Sequence, residues 1–263
     1  MKYFVVSDIH GYFKVLYKEL EKNGFFDSQD NILIVCGDAF DRGRDTLELL
    51  NFLLKLLSEN RLIYIKGNHD DMFLQMIEEI KNGRAFDIAS GASHHYLNGT
   101  WDTALDLSGM GAVEAVKKTS QFIDKLESSP LVTKLYPAAV NYFETDKFLF
   151  VHGFIPVFER GFGSYKRYKF NPNWKKASDY EWERARWING MEAVCKHNIS
   201  VKGKTIIVGH IHASWGHSKI DHSGSEWGEN ADFSPFYDAK KRLIAIDART
   251  ASTHRINCLV IEE

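Results

Sequence analysis

Cysteine is scarce in this sequence. Its three cysteines, Cys36, Cys195 and Cys258, are widely spaced along 263 residues and form no Cys-x-x-Cys pair. A secreted chain stapled by disulfides carries more cysteines, in a closer pattern. Cys36 and Cys258 lie in apolar, strand-like runs, where buried and unreactive thiols are typical. We therefore expect reduced thiols and a cytoplasmic protein.

Long apolar runs and a strong charge of one sign are also missing. No stretch approaches the ~20 apolar residues that a transmembrane helix needs. The first strand follows Met1 and Lys2 at once and Asp8 comes soon after it, so no signal peptide fits at the N-terminus. The formal net charge of −2 gives no electrostatic case for nucleic acid or an anionic membrane. We expect neither as a partner.

The remaining composition is that of a globular domain. Apolar residues make up 44% of the chain and charged residues 26%, which is ordinary for such a domain. No repeat, low-complexity tract or linker divides the sequence. At this length, one large domain over residues 1–263 is expected, with enough chain to enclose a sizeable core.

Strand and helix patterns alternate over the first hundred residues. Short apolar runs at 2–7, 31–36 and 61–66 are each followed by a helical pattern, at about 12–23, 44–58 and 69–81. This alternation predicts parallel crossovers and an α/β sheet. Ligands of such sheets bind beyond the carboxyl ends of the strands.

Polar residues are concentrated at those strand ends. The most informative stretch is Gly37-Asp38-Ala39-Phe40-Asp41-Arg42-Gly43, which follows the apolar run 32–36. Two carboxylates and an arginine at the edge of a core are costly unless a multivalent cation and an anionic ligand compensate their charges. Four further segments also end β-prone runs: Asp8-Ile9-His10-Gly11, Gly67-Asn68-His69-Asp70, Val151-His152-Gly153 and Gly209-His210-Ile211-His212. Together they predict a two-metal phosphoesterase.

The ordered motifs DIHG, GDAFDRG, GNHD, HG and GHIH resemble the calcineurin-like metallophosphoesterases. The Asp-Arg-Gly ending of the second motif is similar to the phosphoprotein-phosphatase branch, which includes bacterial and phage serine/threonine phosphatases and symmetrical diadenosine-tetraphosphate hydrolases. The motifs span residues 8–212, and five in order are far more specific than one. The resemblance implies a four-layer αββα sandwich, with two sheets face to face and helices outside.

The resemblance also implies the metal ligands. Asp38 would bridge two divalent ions, Asp8 and His10 would complete one site, and Asn68, His152 and His210 the other. His212 is added as a ligand from the wider superfamily. In extended backbone residues i and i+2 point the same way, so Asp8 and His10 would reach one ion while Ile9 faces the core. Manganese is the most plausible ion, although iron, zinc, cobalt and nickel also suit His, Asp and Asn ligands.

Four residues are expected to act on the substrate. Two metals would acidify a bridging water and hold phosphoryl oxygens. By the resemblance, His69 is the general acid and Asp41 holds its imidazole. Arg42 offers a rigid fork of donors to phosphate oxygens. A second phosphate-binding arginine is expected from the Trp182-Glu183-Arg184 segment, which makes Arg184 the choice and Arg186 the alternate.

Two segments beside the site are less regular. Residues 82–129 carry scattered glycines and one amphipathic helix at 112–126, which predicts a helical cap insertion; a surface bundle without substrate contact is the alternative. Strands are predicted at 131–136, 138–144, 147–152, 242–247 and 256–262, with Pro137 in a turn. The segment 157–176 reads as a long loop rich in aromatic and basic residues. It would either close over a phosphorylated ligand or remain a solvated loop.

The motifs leave the substrate open. Asp70 stands where protein phosphatases carry a glutamate, and Phe154 where the branch has a small residue. Hydrolysis of phosphate monoesters, including phosphopeptides, is the first expectation. Hydrolysis of a dinucleoside polyphosphate or another nucleotide is the second. A non-catalytic scaffold that binds a phosphorylated ligand is the third, and the set His69, Asp41 and Arg42 argues against it because a binding module needs no general acid.

Overall fold

The computed structural model describes residues 1–161 and 167–262. Within these ranges we number strands and helices in chain order. The strands are β1 (Lys2–Val6), β2 (Ile32–Cys36), β3 (Leu62–Ile65), β4 (Phe143–Glu144), β5 (Phe148–Phe150), β6 (Val157–Arg160), β7 (Arg167–Phe170), β8 (Thr205–Val208), β9 (Phe236–Tyr237), β10 (Leu243–Ala245) and β11 (Leu259–Glu262).

Most of the helices precede β4, and the others follow β7. They are α1 (Phe13–Lys22), α2 (Thr46–Ser58), α3 (Asn68–Glu79), α4 (Ala85–Ala89), α5 (His94–Leu97), α6 (Thr100–Ser108), α7 (Ala112–Lys117), α8 (Thr119–Glu127), α9 (Tyr136–Ala138), α10 (Asp179–Ala185), α11 (Gly190–Cys195), α12 (Ala213–Lys219) and α13 (Thr250–Thr253). Shorter helical turns lie at Phe25–Asp27, Ile80–Arg84, Leu131–Leu135 and Trp174–Lys176.

Two sheets carry the motifs. The first has the order β11-β1-β2-β3, in which β1, β2 and β3 are parallel and β11 is antiparallel to β1. The second has the order β4-β5-β8-β10-β9, with β5, β8 and β10 parallel and the two edge strands antiparallel. The predicted alternation of strands and helices in the first hundred residues therefore produces a mixed α/β fold.

One apolar cluster joins the two sheets. Val5 and Ile34 of the first sheet belong to it, together with Phe150 and Ile207 of the second, and all four are fully buried. The neighbouring residues of each strand face the other way, so Phe4 packs with α1 and α2 on the outer side of the first sheet. Truncating a fully buried isoleucine such as Ile207 to alanine costs about 2–5 kcal/mol.

The predicted strand at 131–136 is wrong. Residues Leu131–Leu135 form a helical turn that leads into α9, and Pro137 lies inside that helix and not in a turn between strands. Leu131 and Leu135 are four residues apart and both are completely buried, which is the spacing of one helix face. A short apolar run cannot distinguish a buried strand from a buried helical turn.

Three further segments differ from the sequence prediction. The helix predicted at 112–126 is two helices, because Lys118 leaves helical geometry at φ −116° and ψ 48°. The strand predicted at 138–144 is reduced to Phe143–Glu144 and an isolated bridge from Val140 to Ile65. The segment 157–176 contains the antiparallel pair β6–β7 where one loop was expected.

The predicted closing loop at 157–176 falls partly outside the described residues, since Tyr165 and Lys166 are not among them. Of its described part, Trp174 is buried against Tyr142 at a ring-centroid distance of 4.9 Å. Its indole therefore packs in the core of the second sheet and does not face a ligand. Among the described residues, no helix has the length and apolar character needed to cross a membrane.

Candidate metal centre and active site

The strand ends of both sheets meet at one cavity of about 390 Å³. It lies beyond β1, β2 and β3 of the first sheet and β8 and β10 of the second. Eight of the residues predicted for the site line it: Asp8, His10, Asp38, Arg42, Asn68, His69, His210 and His212. The sequence motifs are therefore neighbours in space as well as in order.

Two groups of metal-ligand atoms lie at this cavity, and all their members except His152 line it. In each group the nitrogen and carboxylate atoms lie within 4.8 Å of one another. The first group contains His10, Asp38 and His69, and the second contains Asp38, His152 and His210. Asp38 belongs to both, so one carboxylate stands between the two groups. Imidazole nitrogen and carboxylate oxygen suit divalent transition metals such as manganese, iron, zinc, cobalt and nickel.

The imidazole of His152 shows why a cation fits. Its Nδ1 donates to the backbone carbonyl of Cys36 at 2.8 Å. Its Nε2 then faces two oxygens, Asn68 Oδ1 at 2.8 Å and Asp38 Oδ2 at 3.3 Å. Burial opposes the charged form of His152, but Asp38 outweighs it and raises the pKa of the ring to about 10. These two oxygens therefore favour a positive charge at Nε2, which either a proton or a metal ion can supply.

His10 is oriented in the same way. Its Nδ1 donates to the backbone carbonyl of Phe40 at 3.0 Å, which leaves the lone pair of the ring on Nε2. That nitrogen lies 3.9 Å from Asp8 Oδ1. A backbone carbonyl that fixes the tautomer of an imidazole ligand is a recurrent feature of metal sites. Asp8 and His10 are thus presented as a pair of O and N donors.

Three buried carboxylates crowd the floor of the cavity. Asp8 and Asp38 are each 2% exposed and Asp247 is 6% exposed. Burial, with the neighbouring Asp38, raises the pKa of Asp8 to about 6. Burial and Asp8 likewise hold the pKa of Asp247 well above its usual value. Burial also acts on Asp38, but His152 and His69 keep its pKa low. So much buried negative charge is stable only beside cations, and these donors fit a metal centre.

The backbone of the site adopts left-handed geometry at residues other than glycine. Six predicted site residues have positive φ: Asp8 (49°), His10 (52°), Asp38 (52°), Asp41 (74°), Arg42 (66°) and His210 (65°). Such conformations cost on the order of 1–3 kcal/mol each and cluster at functional sites. The expectation that Asp8 and His10 alternate in extended backbone is therefore wrong, because both are left-handed, although Ile9 between them is fully buried as expected.

Two glycines allow the strand ends to approach. A Cβ on Gly67 would lie 2.0 Å from Asp38 Oδ1 and 2.4 Å from its backbone nitrogen. A Cβ on Gly99, at φ 82°, would lie 2.4 Å from the backbone nitrogen of Arg42. Real side chains do not tolerate such distances. The loop after β3 and the start of α6 therefore reach the site only because these positions lack a side chain.

His69 is held by a short hydrogen bond. Its Nδ1 donates to Asp41 Oδ2 at 2.6 Å, which leaves Nε2 facing the cavity. Burial favours the neutral ring, but Asp38 and Asp41 together raise the pKa of His69. Two hydroxyls complete the shell of Asp41, from Thr100 at 2.8 Å and Thr103 at 2.7 Å. A buried imidazole with a fixed tautomer and a raised pKa is suited to proton donation.

Arg42 spans the two imidazoles of the first group. Its Nη1 donates to His10 Nε2 at 2.9 Å, and its Nη2 lies 3.1 Å from His69 Nε2. Nη2 donates to Asn98 Oδ1 at 3.2 Å. The guanidinium is therefore fixed at the cavity with its donors turned inward, where they can meet phosphoryl oxygens.

The second arginine predicted for the site lies elsewhere. Arg184 donates to Glu159 Oε2 at 2.9 Å, and its side chain is 51% exposed outside the cavity. The alternate, Arg186, is nearly buried and bonded to Asp71 Oδ2 at 2.7 Å and Asn141 Oδ1 at 2.6 Å. The structure brings neither of them to the cluster around Asp38.

The position of His212 agrees only in part with its prediction as a metal ligand. It lines the cavity, but its ring belongs to neither group of ligand atoms among the described residues. Its Nδ1 lies 2.7 Å from Ser214 Oγ, and its ring packs on Trp227 at a centroid distance of 4.3 Å. The assignment of His212 as a ligand stays a prediction.

The cavity also contains residues that were not predicted for the site, among them Trp187, Asp247 and Arg249. Trp187 packs edge-to-face on His210 at 5.7 Å, and Asp247 and Arg249 follow β10. The rule that polar residues matter at the carboxyl ends of parallel strands would have found Asp247 and Arg249. Trp187 follows α10, directly after Arg186, and no motif points to it.

Comparisons with known proteins agree with this geometry. Residues 1–236 match the family model for calcineurin-like phosphoesterases. An asymmetrical bis(5'-nucleosyl)-tetraphosphatase, PrpE, from Bacillus velezensis is 26% identical over 143 residues, which are 52% of this chain and 53% of that protein. Serine/threonine-protein phosphatase 1 from Salmonella typhimurium is 42% identical over 71 residues, 27% of this chain and 31% of that protein. The chain thus spans about half the length of the first of these relatives and less of the second.

Solved structures share the fold over the whole chain. A serine/threonine phosphatase from Saccharomyces cerevisiae aligns with 100% of this chain and 80% of its own, at a TM-score of 0.50 and 13% identity. A cold-active protein-tyrosine phosphatase from a Shewanella species aligns with 100% of this chain and 75% of its own, at a TM-score of 0.52 and 15% identity. At such identities the likeness concerns the fold alone.

Proposed function

We propose, since the chain belongs to the calcineurin-like phosphoesterase family, that it is a metal-dependent hydrolase of phosphoric esters. The observation that carries this proposal is the shared position of Asp38, whose carboxylate belongs to both groups of ligand atoms. A carboxylate between two ligand groups is what a pair of ions needs in order to act on one phosphoryl group.

The residues present fit two divalent ions. We assign Asp8, His10 and Asp38 to one ion and Asp38, Asn68, His152 and His210 to the other, with His212 as a further candidate. Manganese is our first choice of ion. When bound, the ions would activate a water and neutralise the charge of the phosphoryl oxygens.

The chain's own residues orient the ester and handle the proton. Arg42 turns two donors to the cavity and would bind phosphoryl oxygens as a fork. His69 would give the proton on Nε2 to the leaving oxygen, since its Nδ1 is fixed to Asp41 at 2.6 Å. Asp41 in turn stabilises the protonated imidazole and is held by hydroxyls of α6. A positioned general acid contributes about 10²–10⁴-fold to the rate.

We further propose that residues 1–263 form one four-layer αββα domain and that residues 82–129 are its cap. The apolar cluster shared by the two sheets supports the sandwich. The cap is supported by Asn98, which lines the cavity, and by Thr100 and Thr103, which bind Asp41. These contacts favour a cap over a surface bundle without a role in the site.

Phosphate monoesters, including phosphopeptides, are the substrates we propose first. The guanidinium fork of Arg42 lies next to the ligand groups and suffices for a single phosphoryl group. Dinucleoside polyphosphates are the second candidate. The indole of Trp187, 47% exposed at the cavity, favours them because it offers a flat face on which a base can stack.

A comparison of specificity constants tests the two candidates. Purified protein is assayed with manganese at one pH on a phosphothreonine peptide and on diadenosine tetraphosphate. If Arg42 alone binds phosphate, we expect kcat/KM to favour the peptide. A preference for the dinucleotide of about 100-fold, roughly 2.7 kcal/mol of transition-state binding, would make the second candidate correct. Binding of both ligands without turnover of either would instead indicate a scaffold.

A further inference from the structure

Arg249 is a cation of the cavity that the proposed reaction does not use. It follows β10 and lines the same cavity as Arg42 and Asp38. The carbon of its guanidinium lies 4.5 Å from the centroid of the Trp227 ring. Stacking on an indole restricts a guanidinium to one orientation and leaves the donors at its edge available.

The backbone of Arg249 is strained. Its φ is 55°, in the left-handed region that side chains rarely adopt. Its backbone nitrogen donates to Asp247 Oδ1 at 2.6 Å. Its position is also fixed by α13, which begins at the next residue, Thr250. Asp247 is itself buried in the cavity floor. A strained residue kept in place by a buried carboxylate is a feature that points to function.

Arg249 also differs from three other arginines of the chain in its pairing. Arg184, Arg186 and Arg242 each form an ion pair, with Glu159, Asp71 and Asp238 respectively. Over residues 1–161 and 167–262, no carboxylate lies within ion-pair distance of the Arg249 guanidinium. A half-buried guanidinium with free donors, beside a phosphoryl site, is an anion-binding group.

We propose that Arg249 is a specificity-determining residue that binds a second phosphate group of the substrate, while Arg42 binds the phosphoryl group that is transferred. The substrate class would then be phosphoric esters or anhydrides whose leaving part carries further phosphate, such as nucleoside polyphosphates. The cavity volume of about 390 Å³ lies in the range of small-ligand sites. The role of Arg249 rests on the proposed phosphoesterase function and, if it holds, favours the second of the two substrate candidates, the dinucleoside polyphosphates.

The test compares Arg249 variants on two substrates. Arg249→Gly removes the guanidinium and accepts the left-handed backbone without strain, so it is expected to fold. Arg249→Lys keeps the charge but not the planar fork. Arg255→Gln is the matched control, because Arg255 is an exposed arginine in the same segment that does not line the cavity. Thermal unfolding of all variants shows whether the fold is retained.

Two ratios are measured at saturating Mn²⁺, so that chelation of Mn²⁺ by the phosphate ligands affects all variants equally. The first compares kcat/KM for diadenosine tetraphosphate and for 4-nitrophenyl phosphate. The second compares calorimetric affinities for pyrophosphate and orthophosphate. We expect Arg249→Gly to lower both ratios by about 10- to 100-fold, Arg249→Lys to lower them less, and Arg255→Gln to leave them unchanged.

The possible failures are distinguishable. If the wild-type protein hydrolyses neither substrate, the proposed function is wrong, and the pyrophosphate ratio alone decides the role of Arg249. If Arg249→Gly weakens both members of each pair equally, Arg249 binds no second phosphate. A lower melting temperature with unchanged ratios would show instead that Arg249 only fastens the segment around Trp227.

Discussion

The hydroxyl of Thr103 donates a hydrogen bond to Asp41 Oδ1 at 2.7 Å. Thr103 lies in α6 and Asp41 in the loop after β2, so the bond joins the helical segment after α3 to the strand end that carries the candidate site. The same hydroxyl accepts the backbone N–H of Asp41 at 3.2 Å. The orientation of His69 therefore depends on a helix that is remote from it in sequence.

Thr103→Val tests this dependence, because valine keeps the shape of threonine without its hydroxyl. Asp41 then loses one donor and His69 is held less firmly. A bond to a charged group contributes about 1.5–3 kcal/mol, so we expect kcat for a poor leaving group to fall about 10-fold or more. Thr119→Val is the control, since that hydroxyl donates to the carbonyl of Val116 in the preceding turn, away from Asp41. Equal rates for both variants would show that the Thr103 bond does not support catalysis.

His69→Asn separates acid catalysis from metal binding. We expect bound metal to be largely retained and esters with poor leaving groups to be slowed about 10²–10⁴-fold. Activated aryl phosphates need less protonation and should be slowed less. His197→Asn, a histidine packed on Tyr168 outside the cavity, serves as control.

Metal analysis of the same variant bears on the ligand assignment. The ring of His69 belongs to the first group of ligand atoms with His10 and Asp38. Loss of one ion in His69→Asn, with equal slowing of both substrates, would make His69 a ligand and not the general acid.

Gly67→Ala tests the close approach of β3 to the site. The added Cβ would meet Asp38 Oδ1 at 2.0 Å, so the loop or the carboxylate must move. Such overpacking costs about 1–3 kcal/mol of stability, and we expect metal affinity to fall with it. Gly111→Ala is the control, because no atom of the described residues lies within 4 Å of its added Cβ and its φ is ordinary. Urea unfolding and metal titration measure both effects; a Gly67→Ala protein with normal metal affinity would contradict the geometry.

Asp238 predicts a pH-dependent stability away from the site. Its carboxylate accepts from Arg242 Nε at 2.8 Å and Nη2 at 2.9 Å, and these bonds lower the pKa of Asp238. A depressed pKa stabilises the fold above the unfolded value of about 3.9 and loses this effect as the pH falls through the folded value. Asp238→Asn should therefore lower the free energy of unfolding at pH 7 by about 1–3 kcal/mol, with the difference shrinking below about pH 4.

The control for Asp238→Asn is Asp87→Asn. The carboxylate of Asp87 is 67% exposed and lies 3.9 Å from Arg84. Surface pairs of this kind contribute little. A pH-independent difference between Asp238→Asn and the wild type would show that the Arg242 pair does not act through charge.

The strand-end motifs could be predicted from the sequence. Each follows an apolar run, and its polar and charged residues have little structural role at the end of a buried strand. Their convergence follows from the geometry of parallel strands, as Asp8, Asp38 and Asn68 illustrate. The family resemblance is confirmed by the match over residues 1–236. Arg184 shows the limit of the approach: a short Trp-x-Arg pattern contains no information on which way an exposed helix turns its side chains.

Tertiary packing decided what the sequence left ambiguous. Leu131 and Leu135 read equally as strand or helix until the core they fill is known. The positive φ of Asp8 and His10 is imposed by contacts with the loop after β2, where their backbone nitrogens bond to Gly37 and Asp38. Left-handed backbone is uncommon even at Asp and His, which adopt it more often than most residues, so residue type alone does not predict it.

The central claim is that the chain is a phosphoesterase that depends on two metal ions, and metal dependence tests it most directly. The protein is stripped with a chelator, reloaded with Mn²⁺ and compared with Asp38→Asn for bound metal and for hydrolysis of 4-nitrophenyl phosphate. We predict two ions per reloaded chain, no turnover without them, and loss of metal and turnover together in Asp38→Asn, because Asp38 belongs to both ligand groups. Full turnover by the stripped protein, or normal metal content and rate in Asp38→Asn, would contradict it.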